Sequence, residues 1–243
     1  RITRIEPAEA GCDVLGTVSS GVVVGLPSFQ QIDGEAAGGS TAHGRISDVT
    51  IERVAATGIV VIGPFGGPAS TATITGNEII GGTSVTTLGQ AGVSVSFASV
   101  ARISGNTVRN LVCSDPACGN DPVNAFQSSG IIVNAPESAG TVVKNNTVTG
   151  ADIGIYLFGG TPAFVETRSN RLRNSRFFGI LVQDGSSETQ DNDISGGEVG
   201  IGALADAMDT TASSRGDEIR RSTVQPIKEI GCCGFTAKVI RKD

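Results

Sequence analysis

The 243-residue chain carries 34 Gly and 9 Pro, with 39% hydrophobic and 17% charged residues, a balance that buries a core in one or two domains and excludes a disordered or collagen-like chain. Eighteen Lys and Arg against 24 Asp and Glu give a net charge of −6, the wrong sign for affinity built on phosphate neutralisation, so no nucleic acid partner is expected. No Trp, one Tyr, one His and one Met leave few of the side chains that most often carry stacking and acid/base work.

Residues 1–45 read as an N-terminal coil or capping segment. Arg1 is not followed by a charged-then-apolar leader, so an export signal is expected to be removed or to lie upstream. No apolar run approaches the roughly 18 residues of a membrane span. His43, in Ala42-His43-Gly44 within a Gly- and Ser-rich stretch, is expected in a loop before the first clear repeat.

From Val49 onward one short pattern returns. Gly76-Asn77-Glu78-Ile79, Gly105-Asn106-Thr107-Val108, Asn145-Asn146-Thr147-Val148, Ser169-Asn170-Arg171-Leu172 and Asp191-Asn192-Asp193-Ile194 all read small-or-polar, Asn, any, aliphatic. Val49-Thr50-Ile51 and Asp217-Glu218-Ile219 are degenerate copies at either end. A second pattern, Gly followed by alternating aliphatics, interleaves at Gly58, Gly92, Gly130, Gly154, Gly179 and Gly200. A third strand-length segment precedes each Asn, as in Ala72-Thr73-Ile74 and Thr141-Val142-Val143. The period is two throughout, helical spacing is absent, and no unit has room for a crossover helix. Three short strands per turn of about 22 to 25 residues predict coils whose aliphatic side chains stack on those of neighbouring coils.

Two insertions interrupt the series, one between Ile80 and Gly92 and a larger one over residues 111–129. The larger contains Cys113-Ser114-Asp115-Pro116-Ala117-Cys118, whose spacing fits a small loop closed by a Cys113–Cys118 disulfide and points to an oxidising compartment. Residues 220–243 are expected to form a C-terminal capping segment. From Arg215 to the end there are seven basic and four acidic residues, a balance of +3 that leaves −9 for the rest; the default reading is a solvated face. Cys12, Cys232 and Cys233 are left unassigned. Cys232-Cys233, between two glycines, reads as a turn, since no companion His or second cysteine pair is in view.

These residues resemble the right-handed parallel β-helix proteins of the pectate-lyase-like superfold, over residues 45–219. The resemblance implies an all-β solenoid, a right-handed parallel β-helix of about seven coils over residues 49–217 with loop insertions, the helix proper occupying residues 46–219. It also implies that Asn77, Asn106, Asn146, Asn170 and Asn192 form a side-chain amide ladder in a bend, where Asn tolerates the left-handed conformation and satisfies buried backbone groups. The recurrent Gly is read as a backbone-conformation requirement.

Enzymes of this superfold act on polysaccharides with outward side chains from stacked strands. Taking the residue after each Asn as outward, one column reads Glu78, Thr107, Thr147, Arg171, Asp193, Glu218, and a second, two residues on, reads Ile80, Arg109, Thr149, Arg173, Ser195, Arg220. Arg171, Arg173, Asp193, Glu218 and Arg220 would cluster on three coils. That cluster fits either an outward salt-bridge ladder or a site for an acidic glycan, with Arg forks on a uronate and Asp193 with Glu218 as an acid/base pair. No metal-ligand motif is present and no cofactor is expected, unless Asp193 and Glu218 hold Ca²⁺. Asp184 and Asp206 are placed near each other at one bend. Two functions remain: a non-catalytic extracellular module, structural or adhesive, secreted or at a cell surface, whose partners are a polysaccharide or further copies of itself; or a lyase, epimerase or hydrolase acting on acidic glycans.

Overall fold

Segments of five or six residues with alternating small polar and aliphatic side chains cannot bury their apolar edge alone, and here each lies directly on its counterpart one coil away. The computed structural model describes residues 20–24, 42–54, 56–63, 69–82, 90–97, 99–113, 128–134, 140–159 and 165–242. Among them there is no helix, and so none long and apolar enough to cross a membrane. The strands run β1 (Ser20–Val24), β2 (His43–Ser47), β3 (Thr50–Val54), β4 (Thr57–Ile62), β5 (Ser70–Thr75), β6 (Glu78–Gly81), β7 (Ala91–Ser96), β8 (Ser99–Ser104), β9 (Thr107–Leu111) and β10 (Ser129–Asn134). They continue with β11 (Val142–Lys144), β12 (Thr147–Ala151), β13 (Ile153–Phe158), β14 (Glu166–Arg168), β15 (Arg171–Gln183), β16 (Ser186–Gln190), β17 (Asp193–Ala205), β18 (Thr210–Arg215), β19 (Glu218–Gly231) and β20 (Ala237–Lys242).

Every described pairing is parallel, and the strands fall into three ladders. One joins β2, β5, β8, β11, β14, β16, β18 and β20. A second joins β3, β6, β9 and β12, and a third β1, β4, β7, β10 and β13. The long strands β15, β17 and β19 carry both of these across a bend, so that they merge into one sheet. The inward columns are aliphatic and dry: Ile51, Ile79, Val108, Val148, Leu172 and Ile194 in one, Ile59, Val93, Ile131, Ile155, Ile180 and Ile201 in another, all at most 2% exposed. Each such side chain contributes about 1.5 to 3 kcal/mol of burial, available only because a neighbouring coil covers it. A smaller cluster of Ile153, Phe177, Phe178, Leu181, Val199 and Leu204 packs where the long strands turn.

Residues 50–215 complete six coils, not the seven expected. The seven repeat copies from Val49 to Asp217 are the boundaries of six intervals. Strands β2 and β19 run across residues 45–46 and 219–220, and β1 pairs with β4, so the ladders continue through both expected segment boundaries. In the last coil Ala237 is buried and Val239 packs against the core, while Phe235 is exposed.

The asparagines form the expected ladder. Each Oδ1 accepts both the backbone N–H and an Nδ2–H of the Asn one coil earlier: Asn106 from Asn77 at 3.0 and 2.9 Å, Asn146 from Asn106 at 3.0 and 2.9 Å. Asn170 accepts from Asn146 at 3.0 and 3.0 Å, and Asn192 from Asn170 at 2.9 and 3.0 Å. The second Nδ2 hydrogen goes to a backbone carbonyl of the preceding coil, from Ile46 for Asn77 to Thr167 for Asn192. At the first position Val49 needs no side-chain amide, because its backbone N–H alone donates to Asn77 Oδ1 at 3.0 Å. At the last position Asp217 Oδ1 accepts both donors of Asn192 at 2.8 Å, while Oδ2 takes the hydroxyls of Thr189 at 2.6 Å and Ser214 at 2.7 Å.

Two local reasons differ from those expected. The left-handed residue of this bend is the one before the ladder position, namely Asp48, Gly76, Gly105, Asn145, Ser169, Asp191 and Gly216, with φ between 52 and 68°; the ladder Asn side chains are selected by hydrogen bonding alone. The glycine column at 58, 92, 130, 154, 179 and 200 does not adopt positive φ. It is small because a Cβ on Gly154 would lie 2.5 Å from the carbonyl oxygen of Gly179 and 3.1 Å from Ser175 Oγ, and one on Gly58 would meet Gly92 O at 2.7 Å and Ile79 Cγ2 at 2.8 Å.

Two predictions follow from these contacts. Gly154→Ala should lower unfolding stability by about 1 to 3 kcal/mol through overpacking, read by urea denaturation. Asn170→Ala leaves the two donors of Asn146 without their acceptor and removes one hydrogen bond to the carbonyl of Val143, at roughly 1 to 3 kcal/mol for each buried donor left unpaired. Asn170→Asp should also destabilise strongly, since it sets a carboxylate against Asn192 Oδ1, and a loss below about 0.5 kcal/mol in either variant would show the amide ladder to be dispensable.

Candidate functional site

The pairing registers place the two outward columns as the sequence arranges them. Glu78, Thr107, Thr147, Arg171, Asp193 and Glu218 are consecutive partners, as are Ile80, Arg109, Thr149, Arg173, Ser195 and Arg220. All five candidate residues therefore meet on β15, β17 and β19. Asp193 sits at the centre. Arg173 grips it with Nη1 at 2.9 Å from Oδ1 and Nη2 on Oδ2, and also donates from Nη1 to Ser195 Oγ at 2.6 Å. Arg220 Nη2 donates to Asp193 Oδ1 at 2.9 Å, Arg171 Nε lies 3.7 Å from Oδ2, and Glu218 Oε1 pairs with Arg220 Nη1 at 3.1 Å.

This arrangement decides the chemistry of Asp193. Hydrogen bonding from Arg173, with Arg220 adding to it, outweighs desolvation and holds the carboxyl at about 2. Such a group has no proton to give near neutrality and is a weak base, and both its oxygens are occupied. A cation there would have to displace guanidinium groups. The cluster is an ion-pair ladder in which Arg171, 65% exposed along its side chain, keeps the most open guanidinium. Similar outward pairs, Arg109 with Glu78 at 2.9 Å and Arg168 with Glu166 at 2.7 Å, flank it.

His43 lies not in a loop but on β2, whose register sets it beside Thr71, with Nδ1 2.7 Å from Thr71 Oγ1. It lines a groove of about 490 Å³ with Arg45, Thr71, Thr73, Val100 and Arg102 across β2, β5 and β8. A further internal polar column, not evident in the sequence, runs at the entry to the third ladder. Gln90 N donates to Ser128 Oγ at 3.1 Å, and Asp152 Oδ2 accepts the N–H groups of Ser128 and Cys113, each at 3.0 Å. Burial pushes the Asp152 carboxyl up, against the backbone hydrogen bonds and Arg176 3.6 Å away. Cys113 is buried and disulfide-bonded; Cys118, its expected partner, and Cys12 lie outside the described residues.

Asp184 and Asp206 do meet at one bend, but not as a carboxylate pair poised on a substrate. Asp184 Oδ1 accepts the N–H groups of Asp206 and Ala207 at 2.8 Å and of Met208 at 3.3 Å, so it builds the bend. Tyr156 donates to Gln183 Oε1 at 2.5 Å, and burial, with Asp184 and Asp206 adding, pushes its hydroxyl above the usual range. On the solvent side of this bend stand Asp206 and the thiols of Cys232 and Cys233.

The ion-pair ladder makes a pH prediction. The Asp193 carboxyl titrates at about 2 in the folded chain and near 3.9 when unfolded. Its stabilisation is therefore complete above about pH 5 and lost as pH falls through 4 toward 2. Because the cluster is partly solvated, Asp193→Asn should cost on the order of 1 kcal/mol at neutral pH. The gap between wild type and variant should stay flat down to about pH 5 and close near pH 2, as measured by urea denaturation at each pH.

Residues 36–215 match the family model described as the right handed beta helix region. No curated protein and no solved structure matches the chain. The match covers well over half of the sequence and coincides with the parallel ladders from β2 to β18. The chain belongs to the right-handed β-helix family.

Proposed function

We propose that the chain is a non-catalytic extracellular β-helix module, secreted or displayed at a cell surface, with a structural or adhesive role and with polysaccharide or further copies of the chain as partners. The observation that carries this reading is the saturation of Asp193: the outward carboxylate best placed for acid/base work is ionised and closed off by Arg173, Arg220 and Arg171. Rows of outward charge also discourage unwanted pairing on a sheet-rich surface. The extracellular assignment draws on the disulfide at Cys113 and on a basic complement in which only four of 18 residues are Lys.

A polysaccharide-active enzyme is the second reading, and the groove at His43 favours it. An imidazole lining the same groove as Arg45 and Arg102 combines a side chain of the acid/base type with binding groups for a uronate. Incubation with a panel of polyuronates separates the two. The structural reading expects neither ultraviolet absorbance from unsaturated product nor new reducing ends. Turnover that His43→Ala abolishes would replace it with a lyase or hydrolase acting in that groove.

Thiol accessibility tests the compartment. In protein purified without reductant, Cys113 and Cys118 should resist alkylation until a reductant is added. Closing so short a loop is worth only about 2 kcal/mol by the loop-closure relation, so reduction should leave the stacked coils folded. Reactive Cys113 and Cys118 in unreduced protein would remove the support for an extracellular assignment.

A further inference from the structure

The adjacent cysteines are the one sequence motif that neither the solenoid nor its outward ion pairs absorb. The backbone explains where they stand. Pairing between β17 and β19 starts 25 residues apart, at Asp193 with Glu218, and ends 26 apart, at Ala205 with Gly231, because a bulge between Gly197 and Val199 inserts one residue into β19. That residue decides which side chain follows the ladder opposite Asp206: Cys232 rather than Gly231. The Cys232 N–H is then fixed on Ala205 O at 2.8 Å.

Both sides of the cluster are held by main chain. Cys232 O accepts the N–H of Phe235 at 2.9 Å, and Cys233 and Gly234 take φ of 58 and 93°, so the two thiols leave a tight turn with positive φ at both central residues. Opposite them, the bend carrying Asp206 is pinned by Asp184 Oδ1, which accepts the amides of residues 206 and 207 at 2.8 Å. The two sulfur atoms and a carboxylate oxygen of Asp206 all lie within 4.8 Å of one another, and both cysteines face solvent.

We propose that Asp206, Cys232 and Cys233 form a site for a thiophilic divalent cation of the zinc class, bound by two thiolates and one carboxylate, with a fourth position open to water or an outside ligand. Tetrahedral zinc, with Zn–S near 2.3 Å and Zn–O near 2.0 Å, sets its ligand atoms roughly 3.5 to 3.8 Å apart. Rotation of exposed side chains closes the difference without moving the turn or the ladder. Thiolate donors select zinc over calcium or magnesium, which require shells of oxygen.

Cobalt titration of the reduced 243-residue chain tests the proposal, with the thiolate-to-cobalt charge-transfer band as readout and zinc as competitor. The expected result is saturation at one equivalent, displacement by equimolar zinc, loss of the band in the Cys232→Ser/Cys233→Ser double variant, and at least tenfold weaker binding in Asp206→Asn. The double variant keeps Cys12, Cys113 and Cys118 and so controls for thiols freed by reduction. Should it fail to fold, alkylation of Cys232 and Cys233 in native wild-type protein before reduction should abolish the band instead. The absence of a saturable band, its survival without Cys232 and Cys233, or unchanged affinity in Asp206→Asn would overturn the site.

Discussion

A side-chain amide that gives both its own hydrogen and its backbone hydrogen to one oxygen on the next coil makes a hydrogen bond with a direction, and the solenoid is organised along that direction. The hydrogen bonds between successive asparagines all run toward the C-terminus, while the second amide hydrogen of each reaches back to a carbonyl of the preceding coil. Three coils are therefore tied by every interior Asn, in a position about 1% exposed to solvent, where an unpaired group would be costly. The aliphatic columns supply most of the burial energy, but they are tolerant of sliding. The amides are not, because a shift by one residue would exchange Asn77, Asn106, Asn170 and Asn192 for neighbours that carry no carboxamide. Register along the whole rod follows from this constraint, and with it the alignment of everything displayed outside.

That alignment is what gives the outward face its chemistry. Arg171, Arg173, Asp193, Glu218 and Arg220 come from three separate coils, yet they meet within ion-pair distance because their ladder neighbours Asn170, Asn192 and Asp217 are bonded in line. The same precision works against catalysis at this spot. With three guanidinium groups around it, the Asp193 carboxylate has no free oxygen to offer a substrate. The groove lined by His43, Arg45 and Arg102 differs in having cations without carboxylates among its lining residues, which leaves it open to anionic ligands in a way the larger cluster is not.

Much of this was legible before any coordinates. The resemblance carried by the Asn repeat implies the ladder, and the residues flanking each Asn give both outward columns in their observed order, because period-two alternation and a fixed bend leave one choice of face. What escaped has physical causes. The left-handed residue precedes each Asn, and its varied identity, from Gly105 to Ser169, hides a common conformation. The glycine column answers to a carbonyl and a methyl group from neighbouring strands, contacts that no local pattern reports. The meeting of Asp206 with Cys232 depends on a single extra residue in β19, and a bulge of that kind breaks the periodicity on which such a reading relies.

Asp217 can accept but has no side-chain amide to pass on, and its two oxygens are already filled by Asn192, Thr189 and Ser214. A whole coil inserted between Asn77 and Asn192 would find a donor below and an acceptor above, so the rod can change length there by tandem duplication at little structural penalty. One added immediately after Asp217 with an Asn in the same column would set oxygen against oxygen. The chemistry of a single side chain thus bars extension of the amide column past Asp217, while the interior of the repeat array can lengthen or shorten.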